Sequence, residues 1–335
     1  GIINETFTAP AIYALNGYNL TIKGTNVTIS YKNAAADAIQ LFRTNYSLVV
    51  NNTILNSFVG VNLTNSYHNN VTDNSVNISK DASYGILIHT LSQNNSITAN
   101  RIVTNGTNSH GINIFRGINN SIIGNYINTS GSSANGILVS TPSGSNAIIN
   151  NVIFTKGTTA DGIQLSGAVS NNTLQGNIIN ASGTGRGIYI NQGINNTVIS
   201  NSINTTGGSA AGIRFDSGVG LNFSSNLIRT TGASSYGIYL LAGVNGSSFI
   251  ANTIVTTGSS ADGFFLDLRS TYNNIEGNTI NTTSSSADGI TAQAFSFNNN
   301  ITANIINTTG GTANGILIQT GSQYNNITRN IIGTN

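Results

Sequence analysis

The chain of 335 residues contains no cysteine, methionine or tryptophan. No disulfide framework and no thiolate metal site can therefore form. Charge is scarce too, at 7% of residues, with a net of +2 spread thinly. No basic run or aromatic-basic interleaving points to nucleic acid. There is no apolar run of about 18 residues, so no membrane span is expected. The start shows no signal-peptide pattern, as expected of a mature chain or a fragment. Asn, Gly, Ser and Thr fill the polar positions, while the apolar ones are mainly Ile, Val and Leu at regular spacing. Low charge alone could mean disorder, but regular β-branched residues favour a β-rich fold.

The regularity is a repeat. Gly followed by Ile or a similar residue falls at Gly60, Gly85, Gly111, Gly136, Gly162, Gly187, Gly212, Gly237, Gly263, Gly289 and Gly315, every 25 or 26 residues. A second marker puts Asn two places before an apolar residue: Asn74, then Asn100, Asn125, Asn151, Asn177, Asn201, Asn226, Asn252, Asn278, Asn304 and Asn330. Periods of this length mean solenoids, propellers or arrays. Within each repeat "GILIH" (85–89), "GINIF" (111–115) and "GIYIN" (187–191) alternate, so Ile86 and Ile88 face one way and Leu87 the other. The segments are too short for helices and too regular for loops. The reading is an all-β parallel β-helix, one domain over 1–335, with about 13 coils of 25–26 residues and three short strands per coil. Like residues then stack at about 4.8 Å: Ile112, Ile137, Ile163, Ile188, Ile213 and Ile238 as one inward ladder, Asn100 to Asn330 as a structural Asn ladder. The Gly before each strand is read as a turn residue that tolerates φ > 0.

The "N-x-I-x-x-N-x-I" and "GI-x-[IL]" phrases resemble those of the right-handed parallel β-helix repeat proteins over essentially the full length. The Asn- and Thr-rich composition resembles the adhesin-like and envelope β-helix proteins of archaea. Right-handedness is what the first resemblance implies, in line with the handedness of parallel crossovers.

Ile2-Ile3-Asn4-x-Thr6 and Ile305-Ile306-Asn307-x-Thr309 are one phrase at opposite ends. No capping helix is read at either end, and bare parallel edges are templates for pairing. The expectation is a head-to-tail homopolymer joined through Ile2, Ile3, Ile331 and Ile332. An outward stripe of Leu87, Leu138, Tyr189, Tyr239, Phe265 and Leu317 reads as a lateral contact surface for another filament, a domain or a sugar.

Asn-x-Ser/Thr sequons number 22. Candidates for glycosylation are Asn62, Asn94, Asn119, Asn128, Asn171, Asn180, Asn195, Asn204, Asn281 and Asn307. Among chemistry-bearing residues, Asp262 and Asp288 precede strand glycines on adjacent coils, about 5 Å apart. Such a pair could serve a retaining glycosidase or hold calcium, or could be Asp-Gly turn formers. Asp267 lies further along the same coil. His110-Gly111 resembles the His-Gly element of polygalacturonases, whose other elements are missing. His68, His89 and His110 sit at different phases, so no metal site is expected. The reading is a structural, non-enzymatic subunit of an extracellular filament, sheath or envelope layer, without cofactor. Its alternatives are an adhesin or carbohydrate-binding stalk, and a polysaccharide lyase or hydrolase.

Overall fold

The computed structural model describes residues 2–5, 9–24, 28–31 and 36–334, with the side chains of 2–5, 28 and 31 outside the description. Forty strands and no helix occur among these residues. The fold is a parallel β-solenoid of about thirteen coils, each giving one strand to each of three sheets. The chain divides into two compact units: 1–164 with 171–173, and 165–170 with 174–335.

In the first unit, Ser75–Ile78, Tyr84–His89 and Ser96–Thr98 make one coil, one strand for each of the first, second and third sheets. These strands pair with those of the next coil in parallel and in register. Val76, Ile102, Ile127 and Ile153 stack in the first sheet, Ile86, Ile112 and Ile137 in the second, and Ile97, Ile122 and Ile148 in the third. All are fully buried. The β-branched side chain suits a pleated surface packed against copies of itself. The second unit repeats the plan. Ile203, Ile228, Ile254, Ile280 and Ile306 form its first-sheet ladder. Its core holds Phe215, Phe223, Phe249 and Phe264, whose rings meet at 4.8 to 6.4 Å.

The strand glycines owe their identity to close approach, which corrects the expectation of a left-handed turn. None of Gly85, Gly111, Gly237 and Gly263 has a left-handed φ. A Cβ on Gly85 would fall against Ile102 Cγ2 and 2.5 Å from the Gly111 carbonyl oxygen; one on Gly237 would meet Ile254 Cγ2 and the Gly263 oxygen in the same way. The coils are packed too closely here for any side chain.

Buried asparagines line the turn between the third and first sheets. In the first unit each amide Nδ2 donates to the next Oδ1 from Asn52 through Asn74, Asn100 and Asn125 to Asn151, at 2.9 to 3.0 Å. In the second unit the run is Asn177, Asn201, Asn226, Asn252, Asn278, Asn304 and Asn330, again at 2.9 to 3.0 Å. The Oδ1 that receives an amide also accepts a backbone N–H from the same asparagine, as Asn252 Oδ1 does from Asn226 at 3.0 Å. A second asparagine column, unforeseen from the sequence, lines the turn between the second and third sheets. It joins Asn69, Asn95, Asn120, Asn146 and Asn172 in the first unit and Asn273, Asn299 and Asn325 in the second.

Candidate functional site

The outer face of the second sheet in the second unit gathers a cluster of ionisable and aromatic side chains. Strand register aligns Tyr189, Arg214, Tyr239, Phe265, Thr291 and Leu317 in one outward column. Arg186, Tyr236, Asp262 and Asp288 precede the strand glycines beside it, and Asp216 and Asp267 lie on its other flank.

Asp262 is strongly perturbed. Its side chain is only 6% exposed. Oδ1 accepts the Asp288 backbone N–H and Oδ2 accepts the Thr291 hydroxyl, both at 2.8 Å. Burial raises its pKa to about 6; the hydrogen bonds from Thr291 and Asp288 oppose the rise, and the neighbouring Asp288 carboxylate adds to it. The Thr291 hydroxyl also lies 3.4 Å from Asp288 Oδ2, so it stands between the carboxyl groups. Asp288 Oδ1 accepts the Asn314 backbone N–H at 2.5 Å and the Asn314 amide at 3.0 Å.

An aromatic floor adjoins this pair. Tyr236 stacks on Phe265 with centroids 4.5 Å apart, and Tyr239 meets Phe265 edge-on at 5.3 Å. Arg214 lies 5.3 Å over Tyr239 and is clamped to Asp216 through Nε and a terminal nitrogen, at 2.7 and 2.9 Å. Arg186 covers Tyr189 at 3.9 Å. Tyr189 donates to Asp216 at 2.8 Å and Tyr239 to Asp267 at 3.3 Å. Burial first, then the carboxylate partner, pushes both phenols up to about 12, so they remain proton donors at neutral pH. The face thus offers one carboxyl group that exchanges its proton near neutrality, fixed hydroxyl donors and a ring surface.

The structure brings Asp262 and Asp288 together as the spacing suggests, yet it buries them, unlike solvated turn residues. Arg214 extends the cluster, its guanidinium lying over the Tyr239 ring. Tyr236 and Asp216 escaped the sequence reading. Tyr236 shares the position of Asp262 before the glycine, and Asp216 stands two places after Arg214; those phases were the available signal.

The lateral stripe is not an exposed ridge. Leu87, Leu138, Tyr189, Tyr239 and Leu317 are half-buried and Phe265 is 9% exposed. Outward side chains in a parallel stack flank one another along the column, so each is covered by its neighbours. Among the sequons, Asn62 is buried and its amide donates to Asp37 at 2.6 Å. That site is corrected: a glycan has no room there. Asn94, Asn119, Asn171, Asn195 and Asn307 are exposed, while Asn128, Asn180, Asn204 and Asn281 are half-buried on the first sheet. Ile331 and Ile332 are exposed; the side chains of Ile2 and Ile3 lie outside the described residues.

A family model described as periplasmic copper-binding protein (NosD) matches residues 3–159. A comparison with curated proteins gives no match. Among solved structures, the mannuronan C-5 epimerase AlgE6 A-module of Azotobacter vinelandii is similar at TM-score 0.64 and 12% identity, covering 99% of this chain and 88% of that one. The structure titled the Vag8–C1 inhibitor complex is similar at TM-score 0.62 and 10% identity, covering 100% of both chains. DFA-IIIase from Arthrobacter chlorophenolicus A6 is similar at TM-score 0.52 and 12% identity, covering 98% of this chain and 84% of that one. These likenesses establish the fold as a right-handed parallel β-helix. They also correct the non-enzymatic expectation, since proteins named as carbohydrate-active enzymes predominate among the neighbours.

The copper in the family description finds no converging donor set among the described residues. Cysteine and methionine are absent, and there are three histidines. His68 stacks on Tyr46. His89 bonds to the Thr64 and Thr90 hydroxyls through its two ring nitrogens. His110 Nδ1 accepts the Asn135 N–H. His89 pairs with Phe115, five residues along the strand from His110, about 17 Å in extended chain. Among the described residues no three metal-binding side chains converge.

Proposed function

We propose that this protein is a carbohydrate-active β-helix working outside the cytoplasm, and that the second unit's outer face acts on a glycan by acid–base chemistry. The carrying observation is the juxtaposition of Asp262, held by Thr291 beside Asp288, with the Tyr236–Phe265 ring stack. A carboxyl group with a pKa near 6 is matched to proton transfer around neutral pH. Stacked rings suit the flat apolar face of a sugar, and the Tyr239 hydroxyl suits its polar edge. The enzymes named among the fold's neighbours support the reaction class, and the word periplasmic in the matched family description supports the location. Among the described residues no helix is long and apolar enough to cross a membrane.

The test is a panel of neutral and acidic polysaccharides, followed by new reducing ends and by the absorbance of unsaturated products. Asp262→Asn is expected to lower turnover about 100-fold or more while leaving binding in place. The rate should titrate with a single group near pH 6. Turnover by Asp262→Asn at the native rate would reject the assignment.

A further inference from the structure

The turn between the second and third sheets carries a second feature of the second unit. At one recurring position there the backbone is left-handed in successive coils: Asn195, Gly220, Gly246, Tyr272, Asn298 and Tyr324, with φ from 50° to 66°. Asn and Gly are the residues this geometry favours, and a bulky side chain is an outlier. The coils with Asn or Gly show that the turn itself has no need of a ring. Yet Tyr272 occupies it 59% exposed, with Tyr324 at the same position, and Phe295, at φ 64° in the adjoining bend, is 55% exposed. Rings held in strained backbone and left in water point to an occupant.

Phe295, Phe297 and Tyr324 line a groove of about 420 Å³ together with Asn298, Gly321 and Gln323. Tyr272 meets Phe297 edge-on at 6.5 Å and extends the aromatic wall. Gly321, at φ 73°, leaves Phe295 its place: a Cβ there would stand 2.7 Å from the ring. No charged side chain lines the groove, and its side-chain polar groups are the Asn298 and Gln323 amides and the Tyr324 hydroxyl. Its ligand is therefore uncharged, flat on one side and bordered by groups that both donate and accept hydrogen bonds.

We propose that this groove is a binding subsite for neutral sugar residues of a glycan, with pyranose faces on Tyr324 and Phe295 and hydroxyls on Asn298 and Gln323. The subsite lies apart from the Asp262 carboxyl group and stands whether or not that group is catalytic.

The test is calorimetric titration of the intact protein with maltohexaose, cellohexaose and chitohexaose, with hexagalacturonate as the charged control. At least one neutral probe is expected to bind saturably and hexagalacturonate more weakly. Tyr324→Ala and Phe295→Ala should each weaken binding about tenfold, Tyr324→Phe should retain it, and Asp262→Asn should leave it unchanged. Gln323→Ala, with circular dichroism as the check on folding, serves if an aromatic variant fails to fold. Absence of binding by all three neutral probes overturns the proposal. So does equal binding of hexagalacturonate, or a Tyr324→Ala effect confined to self-association in sedimentation.

Discussion

Replacing Asn252 by Ala tests whether the asparagine column holds the coils or merely fills a corner. The side chain is fully buried. Its Oδ1 accepts both the Asn226 backbone N–H and the Asn226 amide, at 3.0 and 2.9 Å; its Nδ2 donates to the Phe223 carbonyl at 3.2 Å and to Asn278 Oδ1 at 3.0 Å. Alanine removes all four bonds. Two partners keep an alternative: the Asn226 amide still reaches the Val198 carbonyl, and Asn278 Oδ1 still accepts the Asn252 N–H. The Asn226 N–H loses its acceptor inside the wall. Four bonds at about 1 kcal/mol each, with one buried donor orphaned, come to about 4 kcal/mol or somewhat more. That is a large share of the 5–15 kcal/mol typical of a domain. In urea, with a slope of about 3 kcal/mol per molar, the midpoint by far-ultraviolet circular dichroism should fall by more than about 1 M. Asn204→Ala is the comparison: Asn204 is half-buried on the outer first sheet, and its amide is 3.5 Å from Asn180 Oδ1. It should shift stability by less than about 1 kcal/mol. Equal midpoints for the two variants would refute the reasoning.

Gly237→Ala should destabilise by about 2–4 kcal/mol, because its Cβ would strike Ile254 and the Gly263 carbonyl. Gly246→Ala, at φ 58° in open space, should cost about 1 kcal/mol; similar unfolding temperatures for the pair would be a failure. The pH response should differ between the units. Asp262, raised to about 6, binds its proton more tightly when folded, so its contribution is present below pH 4 and fades as pH rises through 6. His110, lowered by burial to about 4, contributes above pH 6.5 and loses that as pH falls toward 4. Each is worth about 3 kcal/mol at full extent. Acidification from pH 6.5 to 4 should lower hydrogen-exchange protection around His110 and raise it around Asp262, with Asp262→Asn and His110→Gln flattening the respective trends. Copper titration should leave the unfolding midpoint of the chain unchanged; a stoichiometric rise would show that donors converge.

The coil period was legible because a parallel stack permits little else: like residues must lie over like at about 4.8 Å, so Ile102 over Ile127 and Asn100 over Asn125 follow from spacing. The reason for a residue was harder to read than its position. Gly85 recurs as a turn former would, yet it serves close packing against Ile102. Asn95 and Asn120 stand in Asn-Asn-Ser phrases that read as sequons, and this hid a second buried column. Burial on the outer face was illegible for a related reason. Alternation says that Phe265 points outward, but whether it is exposed depends on its neighbours across coils, Tyr236 and Tyr239.

The same cross-coil dependence sets the chemistry. Asp262 and Asp288 share a phase with ordinary Asp-Gly turns, and nothing local separates a solvated turn carboxylate from one held by Thr291 on the next coil. The core needs only that inward positions stay apolar and the Asn and Gly columns stay intact. Outward positions are free of that demand, so a face can be composed coil by coil: a ring from one, a carboxyl group from the next, a hydroxyl from a third. A substitution at Thr291 should therefore alter the titration of Asp262 more than it alters the fold. Thr291→Val retains the shape but removes the donor to Asp262 Oδ2, and with it a bond that opposes the rise in pKa. Its rate profile should shift to higher pH while its circular dichroism stays native. A native-like profile would mean that Thr291 does not set the proton affinity of that carboxyl group.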